Sequence, residues 1–253
     1  MNSLQKSNKQ KFLVQRLNSV HAPLIHLPYI PVFSSHPWHE EFESSCGHPG
    51  TYAYGCSVNG RGVCDQFDGS KLIQLTKHVL DSKCPNPACN KSVGDCITPV
   101  FTPESVANNY SMDLQKPGFN GFGSLFSGEL IGFAWGYNFP TNFESNGGSV
   151  SFERAADNLM GRGISPEFCF YHNESGTIPR YQGNGVGTSL LRNMLADTPK
   201  DRRFVVFRTI NPGMIRCYEK VFELPNGGLK PVFKDPNPLK RQHWYALDLK
   251  ILK

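Results

Sequence analysis

Apolar and polar positions alternate in short, separable blocks along this chain. Phe168-Cys169-Phe170-Tyr171 is an aromatic, apolar run of the kind that forms a buried strand, and Phe204-Val205-Val206-Phe207-Arg208-Thr209 is a second, rich in β-branched residues. Phe122-Gly123-Ser124-Leu125-Phe126 and Leu130-Ile131-Gly132-Phe133-Ala134-Trp135-Gly136-Tyr137 flank Ser127-Gly128, which predicts a hairpin. A last strand is expected over residues 243–249, from His243 to Leu249. Helical spacing places Ile215, Tyr218 and Phe222 on one face after Asn211-Pro212, where Asn can cap and Pro suits the first turn. Further helices are expected from Phe152 to Met160 and, shorter, around Ile73, Leu75, Val79 and Leu80.

The most informative block is Gln182-Gly183-Asn184-Gly185-Val186-Gly187, followed at once by the helix-like run Thr188 to Leu195. Alternate glycines let a backbone turn tightly around a ligand, and the helix start offers unpaired N–H groups and a positive dipole end. Together they predict a phosphate or pyrophosphate site. A dinucleotide fingerprint fits badly, because Thr188 stands where its third glycine would fall. A nucleotide P-loop fits badly too, because no lysine closes the loop.

The pattern that remains, Gln-x-x-Gly-x-Gly, resembles the coenzyme A pyrophosphate loop of the GNAT superfamily of N-acetyltransferases. Upstream, Glu174, Pro179, Tyr181 and Gln182 match the family's residues in the same register, with Thr177 replacing a valine. Downstream, Asn211 and Tyr218-Glu219-Lys220 match, whereas Met214 replaces a small residue and the glycine before Phe222 is missing. Pro37-Trp38-His39-Glu40-Glu41 is similar to the opening of the family's first helix. The resemblance is clear over about residues 100–250.

The resemblance implies an α/β fold: a mixed, mostly antiparallel, twisted sheet flanked by helices. It implies an acetyl-CoA-dependent N-acetyltransferase that transfers an acetyl group to a primary amine in a ternary complex. Glu174 would be the general base and Tyr218 the acid that protonates the departing thiolate. Ser175, Gly176 and Thr177 would polarise the thioester carbonyl through their N–H groups. Gln182, Gly183, Asn184, Gly185, Val186, Gly187 and Thr188 would hold the pyrophosphate, and Asn211 the pantetheine arm. Each has a plainer alternative: a glutamate satisfying a nearby cation, a core tyrosine, a helix N-cap. The rival reading is a non-catalytic coenzyme A-binding module with a zinc-stabilised insertion that docks a partner. His39, His172 and His243 read as isolated surface or packing residues, and no Gly-x-Ser-x-Gly elbow supports a serine hydrolase.

Composition narrows the picture. With 253 residues, 39% hydrophobic and 19% charged, the chain suits a globular domain with one insertion. A polar lead is expected over about 1–30 and a single acyltransferase domain over 31–253. Without an apolar signal core or a membrane-length run, the expected location is cytoplasmic, with no membrane partner. The net charge of +5 could steer an anionic coenzyme, but no basic run with interleaved aromatics points to nucleic acid. Cys169 and Cys217 fall in predicted core elements. The other six cysteines cluster in a Gly-, Pro- and Asn-rich insertion at about 44–98. Cys46, Cys84, Cys89 and Cys96 are the candidate ligands of a structural zinc, with free thiols or disulfides as the alternative.

Overall fold

The computed structural model describes residues 11–34, 42–44, 51–53, 72–74, 77–142, 150–235 and 243–252. Along the chain come β1 (Leu13–Arg16), α1 (His26–Phe33), β2 (Phe42–Ser44), β3 (Thr51–Ala53), β4 (Leu72–Gln74) and α2 (Lys77–Asp81). They are followed by β5 (Ile97–Pro99), α3 (Pro103–Leu114), β6 (Asn120–Phe126), β7 (Glu129–Asn138), α4 (Val150–Met160) and β8 (Cys169–Thr177). The last elements are α5 (Val186–Ala196), β9 (Phe204–Thr209), α6 (Pro212–Val221), β10 (Phe233–Lys234) and β11 (His243–Asp248).

Seven strands form the main sheet in the order β1-β6-β7-β8-β9-β11-β10. Every neighbouring pair is antiparallel except β8 and β9, which run parallel. The fold is therefore mixed α/β, as the sequence resemblance implied. The period-2 alternation of the strands assigns side chains to two faces. Phe170, Val205, Phe207 and Tyr245 join the cluster under α5 and α6. Cys169, Tyr171, Val206 and Trp244 join Ala155, Ala156 and Leu159 of α4 on the other. Phe133 and Trp135 of β7 pack with Tyr29 and Val32 of α1 and with Val106 and Tyr110 of α3.

The hairpin turns at Ser127-Gly128, both with positive φ, as predicted. The helix expected at 152–160 begins two residues earlier, at Val150. Two expectations are corrected. Leu13–Arg16 lie in the stretch read as a polar lead, yet they pair with Phe122–Leu125 of β6 as the edge strand. Such a strand needs only one apolar face, so its polar residues conceal it from a composition scan. Ile73 lies in β4, and the short helix begins at Lys77, after it. Within the cysteine-rich insertion, β2 to β5 add a small second sheet in the order β4-β3-β2-β5. Strands of three residues carry too few alternations to register as a pattern. The Pro37-Trp38 motif and Cys46 lie outside the described residues.

Space is tight where β7 crosses β8. A Cβ at Gly136 would lie 2.3 Å from the Tyr171 carbonyl oxygen and 2.7 Å from a Phe170 ring carbon. Neither can retreat, since one is backbone and the other is fully buried. Gly136→Ala should therefore lower unfolding stability by about 1–3 kcal/mol or more, read as a drop in the urea midpoint.

Candidate active site

The site arises where two strands part. β8 and β9 pair from Cys169↔Phe204 to His172↔Phe207 and no further, although β8 runs on to Thr177. A bulge accompanies the parting. Trp135 pairs with Glu174 and Gly136 with His172, so Asn173 is an extra residue on β8. A bulge bends its strand and increases its twist, which carries Glu174–Thr177 away from β9. Asn173 is fastened in this position by donating to Asp113 (2.7 Å), which also accepts from the Trp135 indole N–H (3.0 Å).

A cavity of about 360 Å³ fills the gap, within the range of small-molecule sites. Ser175, Gly176 and Thr177 line one wall, and Asn211, Gly213 and Met214 line another. Gly176 is required there, because a Cβ would lie 2.4 Å from Val32 of α1. The third wall is the glycine loop and the start of α5. Gly183 and Gly185 have φ of +80° and +83°, in left-handed backbone that glycine adopts without strain. Gln182 ties the loop back to β8 by donating to the Thr177 carbonyl (3.0 Å). Gly185 is the N-cap of α5 and offers no capping side chain. The first-turn N–H groups at Val186, Gly187 and Thr188 thus lack an internal partner where those residues line the cavity.

Of the eleven residues expected to hold the coenzyme, ten line this one cavity. Asn184 does not; its amide donates to the Tyr181 and Gln182 carbonyls and shapes the loop. Asn211 serves as N-cap of α6, accepting from Gly213 N–H at 2.8 Å, and lines the cavity as well. Arg216 and Lys220, one turn apart on α6, add two exposed cations to the lining. Their i, i+4 spacing was visible in the sequence but had no partner to give it meaning. Cys169 is fully buried as expected, whereas Cys217 is half-buried and faces the cavity.

Neither of the two residues expected to carry chemistry lines this cavity. Tyr218 is fully buried, stacked flat on Phe207 at 3.7 Å between ring centroids. Burial holds its phenol well above the ordinary value of 10, so it stays protonated. Its hydroxyl bonds His172 Nδ1 at 2.8 Å, and His172 Nε2 bonds the Glu174 carbonyl oxygen at 3.2 Å. A carbonyl only accepts, so Nε2 carries the hydrogen, Nδ1 is the acceptor, and the Tyr218 O–H donates to it. Burial lowers the His172 pKa to about 4, against a smaller upward pull from that carbonyl bond. His172, read as a packing residue from the sequence, is therefore a neutral, tautomer-locked link between Tyr218 and the cavity it lines. Nothing in the linear sequence distinguishes it from the other histidines. Glu174 is half-buried. Its charge helps to raise the Tyr171 phenol to about 12, after the larger effects of burial and the opposing Arg208.

The sequence model of the acetyltransferase (GNAT) family matches residues 91–223. No curated protein sequence matches the chain. Among solved structures, an acetyltransferase from Thermus thermophilus is 11% identical with a TM-score of 0.48, covering 94% of this chain and 97% of its own. An N-acetyltransferase from Staphylococcus aureus Mu50 is 13% identical with a TM-score of 0.46, covering 94% and 99%. AAC(6')-Ib in complex with paromomycin and acetyl-CoA is 12% identical with a TM-score of 0.48, covering 95% of each chain.

The buried histidine makes a prediction that needs no substrate. Nitrogen-15 NMR should find His172 neutral, protonated at Nε2 alone, from pH 8 down to about pH 5, charging only as the pH nears 4. The folded pKa lies below the unfolded one, so this group's contribution is complete above about 6.5 and is lost as pH falls toward 4. The glycine loop, the parted strands and a family match over more than half of the sequence lead to one statement: this chain belongs to the acetyltransferase (GNAT) family.

Proposed function

We propose that the protein is an acetyl-CoA-dependent N-acetyltransferase acting on a primary amine by direct transfer in a ternary complex. The observation that carries this reading is the cavity between the parted strands, with uncapped helix N–H groups, two cations and a strand edge on its walls. A pyrophosphate needs the first two, and a pantetheine arm needs the last. The coenzyme would lay its pyrophosphate on Gly183–Thr188, with Arg216 and Lys220 answering its negative charge. Its arm would then run beside Ser175–Thr177 and Asn211 toward His172.

In the reaction, the Glu174 carboxylate takes a proton from the acceptor ammonium, because only a neutral amine can attack. The amine nitrogen bonds to the thioester carbonyl carbon while N–H groups of Ser175–Thr177 stabilise the developing oxyanion. The C–S bond then breaks, the thiolate takes the Tyr218 hydroxyl proton, and the second proton of the attacking nitrogen, released as the amide forms, returns through water to the phenolate. In the resting structure the Tyr218 hydroxyl donates its proton to His172 Nδ1, so it must turn about its C–O bond to reach the sulfur. The raised phenol pKa delays the transfer until the thiolate is nearly formed. The acceptor is an amine, small or carried on a protein. We assign the insertion no step in the transfer; the cofactor it would hold is a structural zinc.

One observation favours a second reading. Neither Glu174 nor Tyr218 lines the cavity, as a non-catalytic coenzyme A-binding module would allow. Calorimetric titration with acetyl-CoA, followed by thiol release across a panel of amines, separates the two. Binding with turnover supports the enzyme, binding without turnover on any amine supports the module, and no binding removes both. Gly185→Val should weaken binding, because its φ of +83° excludes a β-branched side chain. Glu174→Gln should lower kcat by about 100-fold or more with acetyl-CoA binding preserved; an unchanged kcat would remove Glu174 from the mechanism. Tyr218→Phe should lower kcat likewise and leave the acetyl-CoA KM within about threefold.

A further inference from the structure

We propose that Cys84, Cys89 and Cys96 are three ligands of a structural zinc ion, outside the coenzyme cavity and independent of the reaction assigned to it. Their Sγ atoms all lie within 4.8 Å of one another. Tetrahedral zinc with bonds of about 2.3 Å separates its sulfur ligands by about 3.8 Å, so the triad needs only small adjustments.

Backbone geometry creates the convergence. Lys83 and Ser92 bridge as a two-residue antiparallel ladder, with Cys84 N–H on the Lys91 carbonyl (3.1 Å) and Val93 N–H on the Ser82 carbonyl (2.8 Å). Cys84 therefore sits at the base of a small hairpin. Within its loop, Cys89 N–H donates to the Asn86 carbonyl (2.9 Å), turning Cys89 back toward Cys84. A 3-10 turn follows, closed by Cys96 N–H on the Val93 carbonyl (3.0 Å), and it delivers Cys96 to the same point. The Asn86 N–H also points at Cys84 Sγ (3.4 Å), the kind of donor that stabilises a sulfur carrying negative charge.

Two further observations separate a metal site from a chance cluster. Cys84 and Cys96 are 5% and 1% exposed, so the sulfurs are withdrawn from solvent. Among the described residues, the segment's core is one small cluster, the buried Val93 with the partly buried Val79, Leu80 and Ile97. A cross-link is the usual way a small unit with little apolar burial is held in one arrangement. A disulfide answers this less well. Cys89 and Cys96 are 3.2 Å apart at sulfur, beyond the roughly 2.05 Å of a bond, and joining them would leave Cys84 buried as a thiol. Soft thiolate ligands favour zinc over the hard cations. Among the described residues no further His, Cys, Asp or Glu joins the triad, and Cys46, the fourth candidate from the sequence, lies outside them.

The test uses the full-length chain, purified untagged under reducing conditions without chelator, and reads metal content by plasma mass spectrometry. About one zinc per chain is expected, with zinc X-ray absorption fitting three or four sulfur neighbours. Cobalt substituted for zinc should give intense sulfur-to-metal charge-transfer absorption, lost in Cys89→Ser and kept in Cys217→Ser. Because Cys89 is only half-buried, its serine variant should retain the far-ultraviolet circular dichroism of the main sheet. Alkylation mapping guards against misfolding as an explanation: the three thiols of the native protein should be protected until the metal is stripped. Zinc well below stoichiometric with freely alkylated thiols, a Cys89–Cys96 disulfide, or fewer than three sulfur neighbours would each overturn the proposal. None of these readings depends on acetyl transfer, so failure of the catalytic reading leaves this result intact.

Discussion

The parting of β8 from β9 after His172 and Phe207 is the constraint on which the rest of the molecule depends. Parallel neighbours normally continue their ladder, since an abandoned strand leaves N–H and C=O groups without partners. Here the separation is imposed by one extra residue, Asn173, and by what anchors it. Asp113 accepts from Asn173 and from the Trp135 indole while pairing with Lys116 at 2.7 Å. A buried carboxylate with three donors is satisfied, and it ties α3, β7 and the bulge of β8 together. On the same face of the sheet, Val32 of α1 packs against Gly176 at the diverging end of β8. The gap is thus a feature of how α1 and α3 pack against the sheet.

The residues behind the gap follow from the same geometry. Once β8 bends, His172 lies at the last paired position, with Tyr218 of α6 below it and the Glu174 carbonyl beyond it. The three groups satisfy one another inside a dry interior. A buried polar chain of this type is specific because each member has a single compatible proton arrangement. Phe207, stacked on Tyr218, excludes other orientations of the phenol. The cation pair Arg216 and Lys220 sits on the same helix, two residues on either side of Tyr218. One short helix therefore supplies charge at the mouth and a buried hydroxyl at the base.

The insertion follows different physics. The main sheet holds itself by large aromatic clusters, Tyr171 with Trp244 and Phe139 on one face and Phe207 with Tyr218 and Tyr245 on the other. The hairpin around Cys84 has no comparable burial, and its backbone bonds bring sulfur atoms together where a core would bring rings. Its last residue, Cys96, precedes β5 and then α3, the helix that carries Asp113. The short run 97–101 joins Cys96 to the α3 N-cap at Thr102.

Local sequence determined what depends on local chemistry. Gly183 and Gly185 announce positive φ, Asn211-Pro212 announces a helix start, and the runs at 122–137, 169–171 and 204–209 announce buried strands; each lies where those residues predict. The register from Glu174 to Gln182 was enough to point to the acetyltransferase (GNAT) family, which the family match bears out. Tertiary structure alone decided the rest. Whether a histidine at 172 faces solvent, core or cavity depends on a bulge created by its neighbour and on a helix 46 residues away. That Arg16 and its neighbours complete a sheet depends on an exposed edge of β6 more than a hundred residues later. That Cys84, Cys89 and Cys96 meet at one point, with Cys217 at the cavity instead, depends on turns closed by backbone bonds that any residue could make. Side-chain chemistry is written in the sequence, but proximity between distant side chains is set by packing, which no window along the chain contains.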